Sequence, residues 1–256
     1  MKRILHLLLI STRREILQWL AWRSFLLTMM VNQAVTPLLG LMVWSVALPG
    51  SGQITTYYVA LLIVQLMTVS YEYHTFSAGI YGGTLSQELF KPQPVVLGPL
   101  GTNLAIRIWH LLFGLPIIIF VGIITKTAVD LRMVLLALPA LLLAATLRFL
   151  FTYLLALSAF WSQKADNIVG FGETLLFLLG GSAAPIILFP SALRPLAQAL
   201  PFRAMLGFPA EIISSSLNSA QILTAYGWQV LWTLVFLLVV VFVERSGLRR
   251  YTAIGG

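Results

Sequence analysis

The chain has 256 residues, of which 59% are hydrophobic and 9% charged, against about 25% charged in ordinary soluble domains. So few charges cannot cover so much apolar surface in water, and the bilayer is the fitting solvent. The absence of cysteine excludes disulfides, thiolate metal sites and a cysteine nucleophile, and the formal charge of +8 reads as Lys and Arg at cytoplasmic ends rather than as a nucleic-acid surface.

Residues 1–24 are predicted to form a helix lying at the membrane interface. It places Trp19 and Trp22 at headgroup depth and Arg13, Arg14 and Arg23 toward lipid phosphates. Its opening apolar run, residues 4–10, lacks the cleavage site of a signal peptide. The alternative is a first span that begins earlier. Six runs then have the roughly 20 apolar residues that a crossing needs: 25–48, 55–78, 100–125, 131–160, 168–189 and 222–243. The expected fold class is therefore all-α, a polytopic membrane protein with six transmembrane helices over residues 25–256. The Lys and Arg bias at the two ends puts both termini in the cytoplasm, in a plasma (inner) membrane setting.

Two segments interrupt the runs. In GGTLSQELFKPQPV, residues 82–95, Gly82 and Gly83 end one helix, and Thr84 with Gln87 has capping-box spacing. Leu85, Leu89 and Phe90 fall on one apolar face opposite Ser86, Gln87 and Glu88, and Pro92 stops the helix just past Lys91. A rod this short is unstable alone in water and must be held by the protein, the lipid or a partner. Residues 191–217 are too polar to span and too apolar for a free loop. Pro195, Pro201 and Pro209 cut them into short pieces. Two short helices that dip into the outer leaflet and return are expected there, with Arg194, Arg203 and Glu211 near the outer interface.

Ionisable groups inside the apolar runs are Glu72 and His74 in the second, Arg107 and His110 in the third, Arg148 in the fourth and Glu173 in the fifth. Each charge costs about 2.5–3.5 kcal/mol at the bilayer centre on insertion scales. Glu72 or Glu173 is therefore expected to neutralise Arg107 or Arg148. A proton-coupled secondary transporter using Glu72 or Glu173 is the alternative function this raises. The four lysines follow Met, Phe, Thr and Gln, so no phosphate-cradling P-loop is present. GGSAA at 180–184 has the spacing of an intramembrane serine protease, but the histidines, His6, His74 and His110, supply no base beside it. No carboxylate cluster suggests a metal.

The stretches IYGGTLSQELFKPQPV (80–95), GGSAAPIILFPSALRPLAQALPFRAMLGFPAEI (180–212) and LRRYTAIGG (248–256) resemble the ABC-2 type permeases of ATP-binding-cassette exporters, in a branch often paired with a second permease. The resemblance covers essentially the whole chain. It implies that residues 84–91 are a coupling helix docking on nucleotide-binding subunits, two copies of which bind ATP and Mg. It also implies a second permease, identical or homologous, meeting this one through spans 1 and 5. The small residues Gly170, Gly172, Gly180, Gly181, Ser182, Ala183 and Ala184 would allow close approach there.

Overall fold

A computed structural model describes residues 2–21, 23–127, 129–162 and 165–251. Trp22, the side chains of Lys2 and Arg23, Lys164 and the last five residues of the expected carboxyl-terminal motif lie outside the described residues. All regular structure among the described residues is helical.

Helix α1 (Lys2–Ala21) carries a double face. Leu5, Leu9 and Leu17 are exposed, whereas Thr12 and Glu15 are buried. The buried side crosses the start of a later helix, α6 (Leu97–Thr125), so closely that a Cβ on Gly101 would stand 2.4 Å from Ser11 Oγ. Helix α2 (Arg23–Ala47) packs on α3 (Gly52–Thr68), which leads through residues 69–71 into α4 (Glu72–Tyr81). A single turn of helix, α5 (Leu85–Leu89), precedes α6. Next come α7 (Leu131–Leu157), begun by Asp130 accepting from the Arg132 amide, and α8 (Ala165–Leu179). Three short helices follow, α9 (Arg194–Ala199), α10 (Pro201–Met205) and α11 (Gly207–Ile213). The last helix, α12 (Ser219–Leu248), starts on a complete capping box in which Asn218 and Gln221 bond each other's backbone.

Among the described residues five helical stretches are long and apolar enough to cross a membrane: Ser24–Ala47, Gly52–Tyr81, Leu97–Thr125, Leu131–Phe160 and Ser219–Leu248. The fifth expected run, 168–189, is different. Helix α8 has 15 residues and rises about 22 Å, short of the roughly 30 Å hydrocarbon. It stops at Gly180 and Gly181, the latter at φ +93°, a left-handed value that glycine adopts without strain. Beyond them the chain runs through Pro185 into a 3₁₀ turn, Ile186–Leu188.

The stretch through α3 and α4 is the most enclosed of the five. Around it α7, α10 and α11 contribute the largest apolar cluster, including Tyr58, Leu61, Leu147, Phe151, Met205 and Phe208. Segment 191–217 forms three short helices rather than two, because Pro201 and the Leu206 turn each restart the chain. Residues 201–213 are buried throughout, so the backbone interrupted at Pro201 and Leu206 is covered by the rest of the chain. Gly172 packs inside the chain: a Cβ there would meet Leu155 Cδ1 at 2.9 Å and Phe151 Cζ at 3.2 Å, whereas Gly170 faces open space.

Candidate functional site

Three places gather the predicted residues, and two of them are built around broken backbone. The first is the interruption at residues 69–71. Val69 leaves the helix at ψ 142°, which frees its carbonyl. Arg107 Nε donates to that oxygen at 3.0 Å, and Asn103 Nδ2 approaches it at 3.4 Å. The Arg107 guanidinium also donates through Nη2 to Ser70 Oγ at 3.0 Å and to Ala145 O at 2.6 Å. Glu72, buried at the first turn of α4, accepts from Asn103 Nδ2 at 2.6 Å and from the Thr152 hydroxyl. Arg148 Nη1 donates to Thr68 Oγ1 at 3.2 Å.

Glu72, Arg107 and Arg148 therefore share one network, as their common depth in the sequence suggested. The expected direct pairing is corrected: neither arginine is in ion-pair contact with Glu72 or Glu173 among the described residues. Arg107 instead spends its donors on carbonyls that the break and α7 present, and Asn103, Ser70 and Thr152 stand between the charges. Glu173 lies half-buried on α8, within the field of Arg148 but outside hydrogen-bond reach of it. The sequence reading missed Asn103, Ser70, Thr68 and Thr152. Their signal was polar donors inside apolar runs.

The second break, residues 180–189, is held the same way. Tyr57 OH donates to Gly181 O at 3.0 Å, Trp44 Nε1 to Ala183 O at 2.9 Å and Gln65 Nε2 to Ser182 Oγ at 3.1 Å, with Tyr58 OH also on Ala183 O at 3.3 Å. After it, the three short helices carry Arg194, Pro201, Arg203, Pro209 and Glu211, the residues of the expected re-entrant segment. Arg203 and Glu211 form a buried bidentate pair, with Nη2 at 2.5 Å from Oε2 and Nε at 3.2 Å from both oxygens. Burial pushes the Glu211 carboxyl up from its ordinary value, against the downward pull of Arg203. Arg194 Nη2 donates to Ile187 O and Phe189 O at 2.9 and 3.1 Å. Pro201 starts α10, and Pro209 sits in the first turn of α11, where its missing donor costs no hydrogen bond. Gln229, buried on α12, ties this segment to α7 through Ala204 O and Ala140 O, both at 2.9 Å.

The third place is the turn at α5. Its helix is Leu85–Leu89, shorter than the expected 84–91, and the capping box is absent. Thr84 is already helical, at φ −69° and ψ −16°, because Gly83 at φ +74° makes the turn before it. An N-cap needs an extended residue, and Thr84 Oγ1 points back to Gly79 O at 3.5 Å instead. Nor is there one apolar face. Leu85 is buried against Phe76, Ile80 and Tyr153, whereas Leu89 is 42% and Phe90 88% exposed. Glu88 and Lys91 pair at 2.5 Å on the surface. Gln87 and Glu88 border a small cleft shared with Arg14 of α1.

A bundle of long apolar helices, with polar donors folded inward onto interrupted segments, is the build of a multi-pass membrane transport protein. Residues 18–255 match the family described as ABC-2 family transporter protein, and the chain belongs to that family of ABC-type transporter permeases. Members of this family are membrane transport components that work with ATP-binding subunits. No curated protein matches the chain.

Proposed function

We propose that the chain is the permease subunit of an exporter driven by a separate nucleotide-binding subunit, docked at residues 84–91. The observation that carries this reading is the construction of the α5 turn. Leu85 anchors it in the core while Phe90, the most exposed large apolar side chain among the described residues, stands out beside it. An aromatic group held out by a rigid base is the usual anchor of a protein interface. Thr84, Gln87, Glu88, Phe90 and Lys91 form the contact in this reading, and Leu85, buried beneath them, fixes the turn that presents them. ATP and Mg belong to the partner, which is present in two copies, and a second permease, identical or homologous, completes the path. Both termini then face the cytoplasm across the inner membrane, α1 rests at the lipid interface, and α8 with residues 180–189 makes the sixth crossing.

The chain has no cysteine, so Phe90→Cys introduces a single thiol. In intact cells it should resist a membrane-impermeant maleimide, and in the purified complex it should cross-link to a nucleotide-hydrolysing subunit. Labelling from outside, or a complex in which no such subunit is reached, overturns the proposal.

A further inference from the structure

A cavity of about 370 Å³ opens between the end of α2, the start of α3 and the short helices, within the range of small-ligand sites. Two guanidinium groups line it, those of Arg194 and Arg203, against one carboxylate, Glu211. Arg203 and Glu211 neutralise each other by their bidentate contact. Among the described residues Arg194 has no carboxylate partner: Nη2 rests on two carbonyl oxygens, and Nε is buried without a hydrogen-bond partner. The lining therefore carries one uncompensated positive charge. Apolar side chains also line it, and they are open to the surroundings: Leu48 at 39%, Ile187 at 59% and Leu188 at 37% exposure.

An unbalanced cation beside exposed alkyl side chains has a complement in one kind of molecule, an anion with an apolar tail. A neutral amphiphile would leave the charge unmet, and a free anion would gain nothing from Leu48, Ile187 and Leu188. We propose that this cavity binds the anionic headgroup of an amphiphile, a phosphate or carboxylate group seated at Arg194 with its hydrocarbon along those three residues. The inference goes beyond ATP-driven transport, because binding at equilibrium requires no nucleotide. Its failure would leave the proposed function standing.

The test uses the full chain, with whatever subunits purify with it, equilibrated with vesicles of phosphatidylcholine and phosphatidylglycerol in equal amounts. The lipid retained is measured by native mass spectrometry. One charge-assisted contact predicts a preference of about tenfold for phosphatidylglycerol. Arg194→Gln should bring the ratio close to one, and Arg194→Lys, which keeps the charge, should retain most of it. The paired change Arg203→Gln with Glu211→Gln leaves the net charge unaltered and should leave the preference in place. Equal retention by the unmodified chain, or an unchanged ratio in Arg194→Gln, refutes the site. Equal loss in Arg194→Lys and Arg194→Gln assigns Arg194 to holding residues 187–189 and also refutes it. Displacement of phosphatidylglycerol by inorganic phosphate as readily as by an alkyl phosphate would show a free-anion site and defeat the amphiphile.

Discussion

Exchanging Glu72 and Arg107 separates two accounts of the intramembrane charges. If they were a salt bridge, Glu72→Arg with Arg107→Glu would restore what either reversal loses. The structure predicts no rescue. Arg107 donates three hydrogen bonds, to Val69 O, Ser70 Oγ and Ala145 O, and a carboxylate at that position can donate none. The milder Arg107→Lys keeps the charge but replaces the planar fork with a single point of donation. Retaining one of the three bonds, it loses two at about 1.5 kcal/mol each, a destabilisation of roughly 3 kcal/mol. For a chain of this size that corresponds to a fall in Tm of about 6–12 °C, readable by the intrinsic fluorescence of the seven tryptophans in detergent. The swap should fall at least as far as Arg107→Lys. Recovery of the unmodified Tm in the swapped chain would refute the staple and restore the ion pair.

Removal of Arg203 alone, as Arg203→Met, strands a buried carboxylate and should cost about 3–5 kcal/mol, whereas Arg203→Met with Glu211→Met should be close to neutral. In the single variant only burial acts on Glu211, so its folded-state value stays above the unfolded one. Stability is then greatest below about pH 4.3 and falls as pH rises through the raised value, and more steeply than in the unmodified chain, where Arg203 opposes the upward shift; Tm measured against pH reads the difference. Gly172→Val should destabilise by about 1–3 kcal/mol through contact with Leu155 and Phe151, while Gly170→Ala, in open space, should be within about 0.5 kcal/mol of the unmodified chain in the same assay. Gln229→Leu leaves the Ala140 and Ala204 carbonyls without their side-chain donor. It should cost about 2 kcal/mol and speed proteolysis within residues 194–213.

Much of the architecture was legible from run lengths alone. Five of the six runs coincide within a few residues with the stretches Ser24–Ala47, Gly52–Tyr81, Leu97–Thr125, Leu131–Phe160 and Ser219–Leu248; the ends differ where a cap such as Asn218–Gln221 lies outside the hydrocarbon pattern. The prolines also announced the broken character of residues 191–217. The interruption at residues 69–71 was not legible: Val69, Ser70 and Tyr71 contain no helix breaker, and the donors that meet the freed carbonyl come from Asn103 and Arg107, over 30 positions away. The early end of α8 was signalled by Gly180, Gly181 and Pro185, but the apolar count outweighed it. At α5 the spacing of Thr84 and Gln87 was right, and the conformation of Gly83 made it irrelevant. Of the candidate site residues, the charged ones were found because charges in apolar runs are rare. Tyr57, Tyr58, Trp44 and Gln65 were not, since the groups they bond, Gly181 O, Ser182 Oγ and Ala183 O, lie far along the chain and leave no local pattern.

The break at residues 69–71 gives α4 a mechanical character that an unbroken span would lack. Ten residues of helix form a rigid lever arm about 15 Å long, with the α5 turn at one end and the Glu72–Asn103–Thr152 contacts at the pivot. A push of 1 Å sideways at the far end swings such an arm through about 4°. Across the break at residues 69–71 such a displacement would arrive as a rotation of the Glu72 turn rather than as a shift along α3.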